Sequence, residues 1–143
     1  MFYFDTCALL KLVREDSESP ALGAFIDARP DTRWFASELA RAELARTIRR
    51  LNHDDKGNLL DEGRLHAELG YAGKLWDRLD LIPVSTRILG DAAAIEQPFL
   101  RTLDAIHLAA AASMRGSLSA FVTYDRRLAI AAQQAGLPVE SPA

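Results

Sequence analysis

Four acidic residues are the positions in this sequence best suited to carry chemistry. Asp5 and Asp125 each follow a short apolar run, and Glu43 and Asp104 each lie at the edge of the buried face of an expected helix. If the two apolar runs are parallel strands of one sheet, Asp5 and Asp125 meet at its carboxyl edge. Carboxylates about 4 Å apart repel by roughly 4 kcal/mol per pair at an effective dielectric of ~20, and a divalent cation relieves that repulsion. The pattern therefore predicts a metal site.

Three of these acids also have an ordinary structural explanation. Asp5 and Asp125 stand at strand-to-helix junctions, where an aspartate N-cap accepts hydrogen bonds from free backbone amides. Glu43 is able to pair with Arg46 or Arg50 on a helix surface. Taken singly, these explanations are favoured. The metal site is favoured by the four together, because independent caps have no reason to gather at one end of one sheet.

Asp104 is harder to explain as an ordinary surface residue. It shares a helix face with His107 and Leu108, and that face has the small and apolar residues expected to pack on a sheet. A carboxylate directed toward such a face needs a cation or several hydrogen-bond donors. His107 is expected mainly as a packed core histidine, one that is also able to hydrogen-bond a metal-bound carboxylate.

Bulk composition indicates one globular domain with a substantial core. The chain has 143 residues, of which 49% are apolar, and 17 basic against 20 acidic residues give a net charge of −3. This charge argues against a protein that binds phosphates through bulk positive charge. It does not exclude a nucleic-acid enzyme, because four carboxylates in one pocket exceed the whole acidic surplus and bound ions reverse the local sign.

Neither cysteine usage nor hydropathy indicates secretion. The single cysteine, Cys7, cannot form an internal disulfide, and its apolar helix start predicts a buried structural thiol in a reducing, cytoplasmic setting. No apolar run approaches the roughly 20 residues of a transmembrane helix, and the amino-terminal run is too short for a signal peptide. We expect a soluble protein with no membrane partner.

The elements that must position the acids alternate between short apolar runs and amphipathic helices, which is typical of a parallel α/β sheet. We predict strands over residues 1–4, 33–36, 81–84, 120–123 and 137–139. Helices are predicted from Asp5-Thr6 to about Arg14, over 20–28, from Ser37 to about Leu51, through Leu65 to Leu79, and from caps at Ser85-Thr86, Thr102 and Asp125. The polar stretch 52–58 is predicted to join the third and fourth helices into a hairpin. No repeat or linker divides residues 1–143.

The third helix carries the most specific prediction about packing. Leu44, Ile48 and Leu51 are spaced for one buried face, and Glu43 lies on the border of that stripe. Glu38 lies on the opposite border and is assigned to solvent.

The segments around the four acids resemble, in order and spacing, those of PIN-domain ribonucleases, with particular likeness to the VapC toxins of bacterial toxin–antitoxin pairs. These segments are residues 2–6, 42–44, 103–109 and 122–128, and the resemblance extends to about Pro138. It implies one PIN domain with a three-layer α/β/α fold, a central parallel sheet of four or five strands and a protruding helical hairpin.

The resemblance also implies roles for individual residues and partners. The family pattern makes the core metal-binding acids Asp5, Glu43 and Asp104, the fourth acid Asp125, and the supporting hydroxyl residues Thr6 and Thr123. It further implies an endoribonuclease that depends on Mg²⁺ or Mn²⁺, forms a homodimer, and is inhibited by a small VapB-like antitoxin whose tail occupies the active-site groove.

The chemistry expected of such a site is hydrolysis of a phosphodiester bond. Oxygen ligands suit Mg²⁺ or Mn²⁺, and the scarcity of Cys and His argues against zinc. One or two ions would generate a hydroxide nucleophile and neutralise the attacked phosphate, so no covalent intermediate is needed. Arg46 and Arg50 are candidate RNA contacts, although the helix dipole alone also explains cations at a helix end.

Two alternatives remain open from the residues alone. A phosphoaspartyl phosphatase would place a second aspartate two residues after the first, where this chain has Cys7. A non-catalytic binding module would use the acids only as caps and the hairpin around Trp76 as a docking surface. The RNA itself also stays open among transfer, ribosomal and messenger RNA, since base choice depends on groove shape.

Overall fold

A single parallel sheet organises the molecule. The computed structural model describes residues 1–143, and its strands are β1 (Phe2–Phe4), β2 (Trp34–Ser37), β3 (Leu79–Ile82), β4 (Ala120–Val122) and β5 (Val139–Glu140). The strand order is β3-β2-β1-β4-β5, and every neighbouring pair is parallel. All five strands therefore end at the same edge of the sheet. Strands β2 and β3 are added on one side of β1 and strands β4 and β5 on the other, and a crevice is expected at this switch point beside β1.

Seven helices cover the two faces of this sheet. They are α1 (Thr6–Val13), α2 (Ser19–Asp27), α3 (Leu39–Leu51), α4 (Glu62–Trp76), α5 (Thr86–Ala93), α6 (Thr102–Ala112) and α7 (Arg126–Gln134). Helices α1 to α4 pack on one face and α5 to α7 on the other, which gives the predicted three-layer α/β/α fold. None of these helices is both long and apolar enough to cross a membrane.

The two-residue period of the strands divides the core between the faces. In β1, Phe2 and Phe4 contribute to the core under α1 to α4, whereas Tyr3 contributes to the core under α5 to α7. In β4, Val122 and Phe121 divide between the faces in the same way. Successive side chains of a strand point to opposite faces, so a strand buried on both sides is apolar throughout. Asp5 is the first charged residue after this apolar run.

The predicted helical hairpin is present, formed by α3, a polar turn and α4. In the turn, the Asp54 carboxylate accepts hydrogen bonds from the backbone amides of Lys56 and Asn58. Leu60 is 64% exposed and Tyr71 is 58% exposed, so the apolar surface of the hairpin lies at these residues. Trp76 instead packs partly against the core beneath Arg41.

Four predictions about elements were wrong in detail, the first being β5, which was predicted over 137–139 and is observed at Val139–Glu140. Strand β3 begins and ends two residues before the predicted 81–84, because Pro83 has no amide hydrogen for the ladder and Leu79 pairs with Trp34. Leu79 is therefore a strand residue and not the end of α4. The predicted buried face of α3 holds for Leu44 and Ile48, but Leu51 is 38% exposed at the helix end.

One predicted helix cap was also wrong. The N-cap of α6 is Arg101, and no side chain makes a capping hydrogen bond there. Thr102 is the first residue inside the helix. The caps predicted at Asp5, Ser85 and Asp125 are confirmed, because each side chain accepts a hydrogen bond from an amide in the first turn of its helix.

Candidate active site

Asp5 and Asp125 leave adjacent strands at the carboxyl edge of the sheet. Asp5 follows β1 directly, and its Oδ1 accepts a hydrogen bond from the Ala8 amide at 2.8 Å. The Oδ1 of Asp125 accepts from the amides of Arg127 at 2.8 Å and Leu128 at 2.9 Å. Both residues are therefore N-caps, as their positions at strand-to-helix junctions predict. Capping occupies one oxygen of each carboxylate, so it leaves the other oxygen for a second role.

Thr123 links these two acids. Its side chain is fully buried, and its hydroxyl donates a hydrogen bond to Oδ2 of Asp5 at 2.5 Å. The same hydroxyl oxygen accepts from the Asp125 amide at 3.1 Å. The pKa of Asp5 is raised to about 6, because burial and the charge of Asp125 together outweigh the lowering effects of the hydrogen bonds from Thr123 and Ala8 and of nearby His107. Without a cation, a charged Asp5 is therefore unfavourable.

Glu43 reaches the site from α3 and makes none of the surface ion pairs considered for it. Its Oε2 accepts hydrogen bonds from the Thr6 hydroxyl at 2.6 Å and from His107 Nε2 at 2.7 Å. Burial alone would raise the pKa of Glu43, but the hydrogen bonds from His107 and Thr6 lower it overall. Its Oε2 is held from two sides, while its Oε1 accepts no hydrogen bond.

Asp104 is the least satisfied of the four acids. It lies in the first turn of α6, half-buried, and neither of its oxygens accepts a hydrogen bond. Burial raises its pKa, the negative charge of Asp125 raises it further, and Glu43 adds a smaller effect in the same direction. His107 and Arg101 offset part of this. A half-buried carboxylate without donors that faces other carboxylates fits a cation ligand.

All four acids act on Cys7. Partial burial of the thiol, and then the charges of Asp5, Asp125, Asp104 and Glu43, raise the pKa of Cys7 to about 12. The prediction that Cys7 is a buried structural thiol is wrong, because the residue is exposed. It occupies the second position of α1 and lies at the crevice, whereas the next two residues of the helix, Ala8 and Leu9, enter the core.

The donor set suits a hard divalent cation. It consists of carboxylate oxygens, and Glu43, Asp104 and Asp125 each keep at least one oxygen that accepts no hydrogen bond. The acids stand wider apart than ligands of one ion, since no three acidic, His or Cys side chains form a group at coordination spacing.

Tyr3 is a residue of this site that sequence reasoning missed. Its hydroxyl lies 2.9 Å from His107 Nδ1 and accepts a hydrogen bond from the Ser37 amide at 3.1 Å. The signal in the sequence was a tyrosine inside an otherwise apolar strand, because a buried phenol needs a polar partner. His107 itself is buried, as expected, yet it contacts Glu43 and therefore belongs to the site.

A cationic concavity lies on the carboxyl-terminal half of α3, beyond Glu43. It has a volume of about 510 Å³ and is lined by Arg46, Thr47, Arg49, Arg50 and His53. None of the three arginines forms an ion pair, although Arg14, Arg33, Arg64 and Arg87 elsewhere in the chain do. Glu43, Thr47 and Arg50 recur at helical spacing, so this surface and the acids share one side of α3.

Sequence comparison finds known proteins that match nearly the whole chain. The family model of the PIN domain matches residues 2–133. The chain is 40% identical to Ribonuclease VapC35 of Mycobacterium tuberculosis, in an alignment that covers 99% of this chain and 97% of that protein.

Two solved structures share the fold over the whole chain. One is VapC20 of Mycobacterium tuberculosis, described as a toxin that cleaves the sarcin-ricin loop, with a TM-score of 0.69 and 16% identity over all of both chains. The other is VapBC2 of Rickettsia felis bound to a DNA fragment from its promoter, with a TM-score of 0.70 and 12% identity over all of both chains.

Proposed function

This chain belongs to the PIN-domain family, and on that premise we propose that it is a divalent-metal-dependent endoribonuclease that serves as the toxin of a toxin–antitoxin pair. The proposal is supported by the hydrogen bonds of Thr6, Thr123 and His107, which bring Asp5, Glu43 and Asp125 toward the first turn of α6 that carries Asp104. It is also supported by 40% identity to a ribonuclease over 99% of the chain. We further propose that residues 1–143 act as one domain in the cytoplasm.

The four acids are proposed to hold Mg²⁺ or Mn²⁺. Both oxygens of Asp104 would be available to the ion, because neither accepts a hydrogen bond. Glu43 would offer Oε1, because its Oε2 already accepts from Thr6 and His107. A bound ion would supply an activated water and neutralise charge on the attacked phosphate, which is the chemistry of in-line phosphodiester hydrolysis. No side-chain nucleophile is required.

The remaining residues of the site orient the acids. Thr123 fixes the second oxygen of Asp5 while it accepts from the Asp125 backbone, so the two acids that follow β1 and β4 are held in one register. Thr6 fixes one oxygen of Glu43, because its hydroxyl donates a hydrogen bond to Oε2. An active site that holds its ligands in advance loses less free energy when the ion and substrate bind.

The substrate is proposed to run from the acids along α3. Arg46 and Arg50 lie in the cationic concavity beside Glu43, free of ion pairs, where they are available to RNA phosphates. Arginine binds phosphate bidentately, so two such residues position a strand without reading its sequence.

The partners are proposed from the toxin role. We propose a cognate VapB-like antitoxin that occupies the active-site groove, and a homodimer of the chain. The exposed Leu60 and Tyr71 of the α3–α4 hairpin offer apolar surface for one of these contacts.

A cleavage assay tests the proposed function. Purified protein is expected to cut single-stranded or looped RNA in Mg²⁺ or Mn²⁺ and to lose that activity in excess EDTA. The Asp125→Asn variant, purified in the same way, controls for contaminating nucleases because asparagine keeps the helix cap. Cleavage undiminished in EDTA, or equal in the variant, would contradict metal-dependent hydrolysis at this site.

A further inference from the structure

A chain of buried hydrogen bonds connects the sheet to Glu43. It begins at the Ser37 amide, which donates to the Tyr3 oxygen at 3.1 Å, and continues from the Tyr3 hydroxyl to His107 Nδ1 at 2.9 Å. It ends where His107 Nε2 meets Oε2 of Glu43 at 2.7 Å. Tyr3 is 0% exposed and His107 is 2% exposed, so water does not compete for these bonds.

The direction of every proton in this chain is fixed by its two ends, because the Ser37 amide can only donate and the Glu43 carboxylate can only accept. The Ser37 amide can only donate, so the Tyr3 oxygen accepts there. The buried Tyr3 proton then needs an acceptor, and the only one within reach is Nδ1 of His107. His107 therefore carries its proton on Nε2, which donates to Oε2 of Glu43. Tyr3 and the Glu43 carboxylate thus select the same tautomer from the two sides of the ring, and without the Tyr3 hydroxyl only Glu43 selects it.

We propose that Tyr3 and His107 form a positioning relay that sets the orientation of the Glu43 carboxylate, so that metal binding depends on a phenol hydroxyl that contacts neither ion nor RNA. This inference rests on the proposed function. The relay links the elements that carry three of the four acids: Tyr3 lies two residues before Asp5, His107 lies three residues after Asp104, and Glu43 belongs to α3. Groups that orient a ligand in this way typically change metal affinity or activity about 10–100-fold when removed.

The relay predicts a spectroscopic signature in the metal-free protein. In uniformly ¹⁵N-labelled full-length chain, His107 should show a protonated Nε2 and an unprotonated Nδ1. The Tyr3→Phe variant should weaken this preference, because the Glu43 carboxylate alone then selects the proton on Nε2. The ring of Tyr3 stacks on Phe121 with centroids 5.3 Å apart, and phenylalanine retains that contact. A protonated Nδ1 in the unmodified chain would overturn the relay.

Binding of Mn²⁺ by calorimetry, together with RNA cleavage at increasing Mn²⁺, measures the consequence. Tyr3→Phe should weaken Mn²⁺ binding about 10-fold and shift the Mn²⁺ dependence of cleavage, with most of the rate recovered at saturating Mn²⁺. The matched control is Tyr124→Phe, which also removes one phenol hydrogen bond, but one made to the Pro142 carbonyl. Equal Mn²⁺ affinity in the two variants would overturn the relay.

Substitutions of His107 keep the test decisive if Tyr3→Phe folds poorly. His107→Gln retains one donor and one acceptor and should preserve more Mn²⁺ affinity than His107→Leu, which retains neither. Adding Tyr3→Phe to His107→Leu should weaken binding no further, because Tyr3 acts through His107. Additive losses, or equal affinity in the two His107 variants, would contradict the relay. Absence of Mn²⁺ binding in the unmodified chain would contradict the proposed function instead, and the tautomer measurement would still test the relay.

Discussion

At the scale of single residues, structural and chemical roles coincide in the same side chains. Asp5 and Asp125 cap helices through one oxygen each, which is the ordinary role that their positions predict. A cap brings the carboxylate to the strand end and leaves its second oxygen for another contact, which in Asp5 is the hydrogen bond from Thr123. The acids could therefore be singled out from the sequence. The role of Tyr3 could not be assigned, because its partner His107 is 104 residues away. Pairings that only the folded chain brings together leave no local pattern.

The raised pKa of Asp5 predicts how the stability of the metal-free protein depends on pH. The folded chain holds this proton up to a pH of about 6, whereas the unfolded chain releases it near 3.8. Unfolding therefore releases a proton between these values, so the stabilisation is present at low pH and is lost as pH rises through about 6. From pH 4.5 to 7 the unfolding free energy should fall by about 2 kcal/mol.

Denaturant titrations of chelator-treated protein across this range measure that fall. Asp104, whose pKa is also raised, adds to it, whereas the lowered pKa of Glu43 acts below its ordinary value of 4.5. Asp5→Asn keeps the cap and should flatten the profile. A metal-free stability that rises from pH 4.5 to 7 would show that Asp5 is not destabilised by its charge.

At the scale of elements, apolar runs and caps were enough to predict the layers and most boundaries. Strands that are buried on both faces and helices that begin at an N-cap carry their patterns locally. The errors lie where tertiary pairing decides. Leu79 fits both the apolar stripe of α4 and a strand, and its pairing with Trp34 places it in β3. The exposure of Cys7 likewise depends on which face of α1 meets the crevice.

Helix α3 is the element proposed to guide RNA, and its arginines give a test. Replacing Arg46 and Arg50 together by alanine should weaken RNA binding and reduce the salt dependence, with a slope lowered by about 0.7 for each RNA phosphate that the variant no longer neutralises. Arg29 is the matched control, because it lies between α2 and β2 at the opposite edge of the sheet. Filter binding of a non-cleavable RNA at several salt concentrations distinguishes the double variant from the Arg29 control. Equal slopes for the double variant and for Arg29→Ala would exclude α3 as the RNA path.

At the scale of the whole molecule, the charge distribution explains how an acidic protein can act on RNA. The net charge is −3, yet the acids of the site gather at one crevice and unpaired arginines line the adjacent concavity. Neutralisation of the crevice by a divalent ion would leave a continuous cationic surface there.

The same molecule is expected to be a homodimer. Light scattering at micromolar concentration should give twice the mass of one chain, because exposed apolar side chains such as Phe99, at 79%, and Leu60, at 64%, favour burial against a partner. A single-chain mass over that range would contradict this expectation.

The central claim is that four carboxylates from separate elements form one metal site, and Asp104→Asn tests it most directly. Asparagine keeps the shape of the side chain and removes one negative charge from the cluster. In EDTA the variant should be more stable, by about 1 kcal/mol once solvent screening of this half-buried group is included. RNA cleavage in Mn²⁺ should fall by orders of magnitude, because the ion loses a charged ligand.

The control for the helix dipole is Glu62→Gln, since Glu62 is also a first-turn acid but belongs to α4. It should lower stability by at most about 0.3–1 kcal/mol and leave cleavage unchanged. Thermal melts in EDTA measure the change in stability of both variants, and a ribonuclease assay in Mn²⁺ measures their change in activity. The metal-site account predicts an Asp104→Asn protein that is more stable and inactive. A variant that is less stable, like the control, and still active would contradict it.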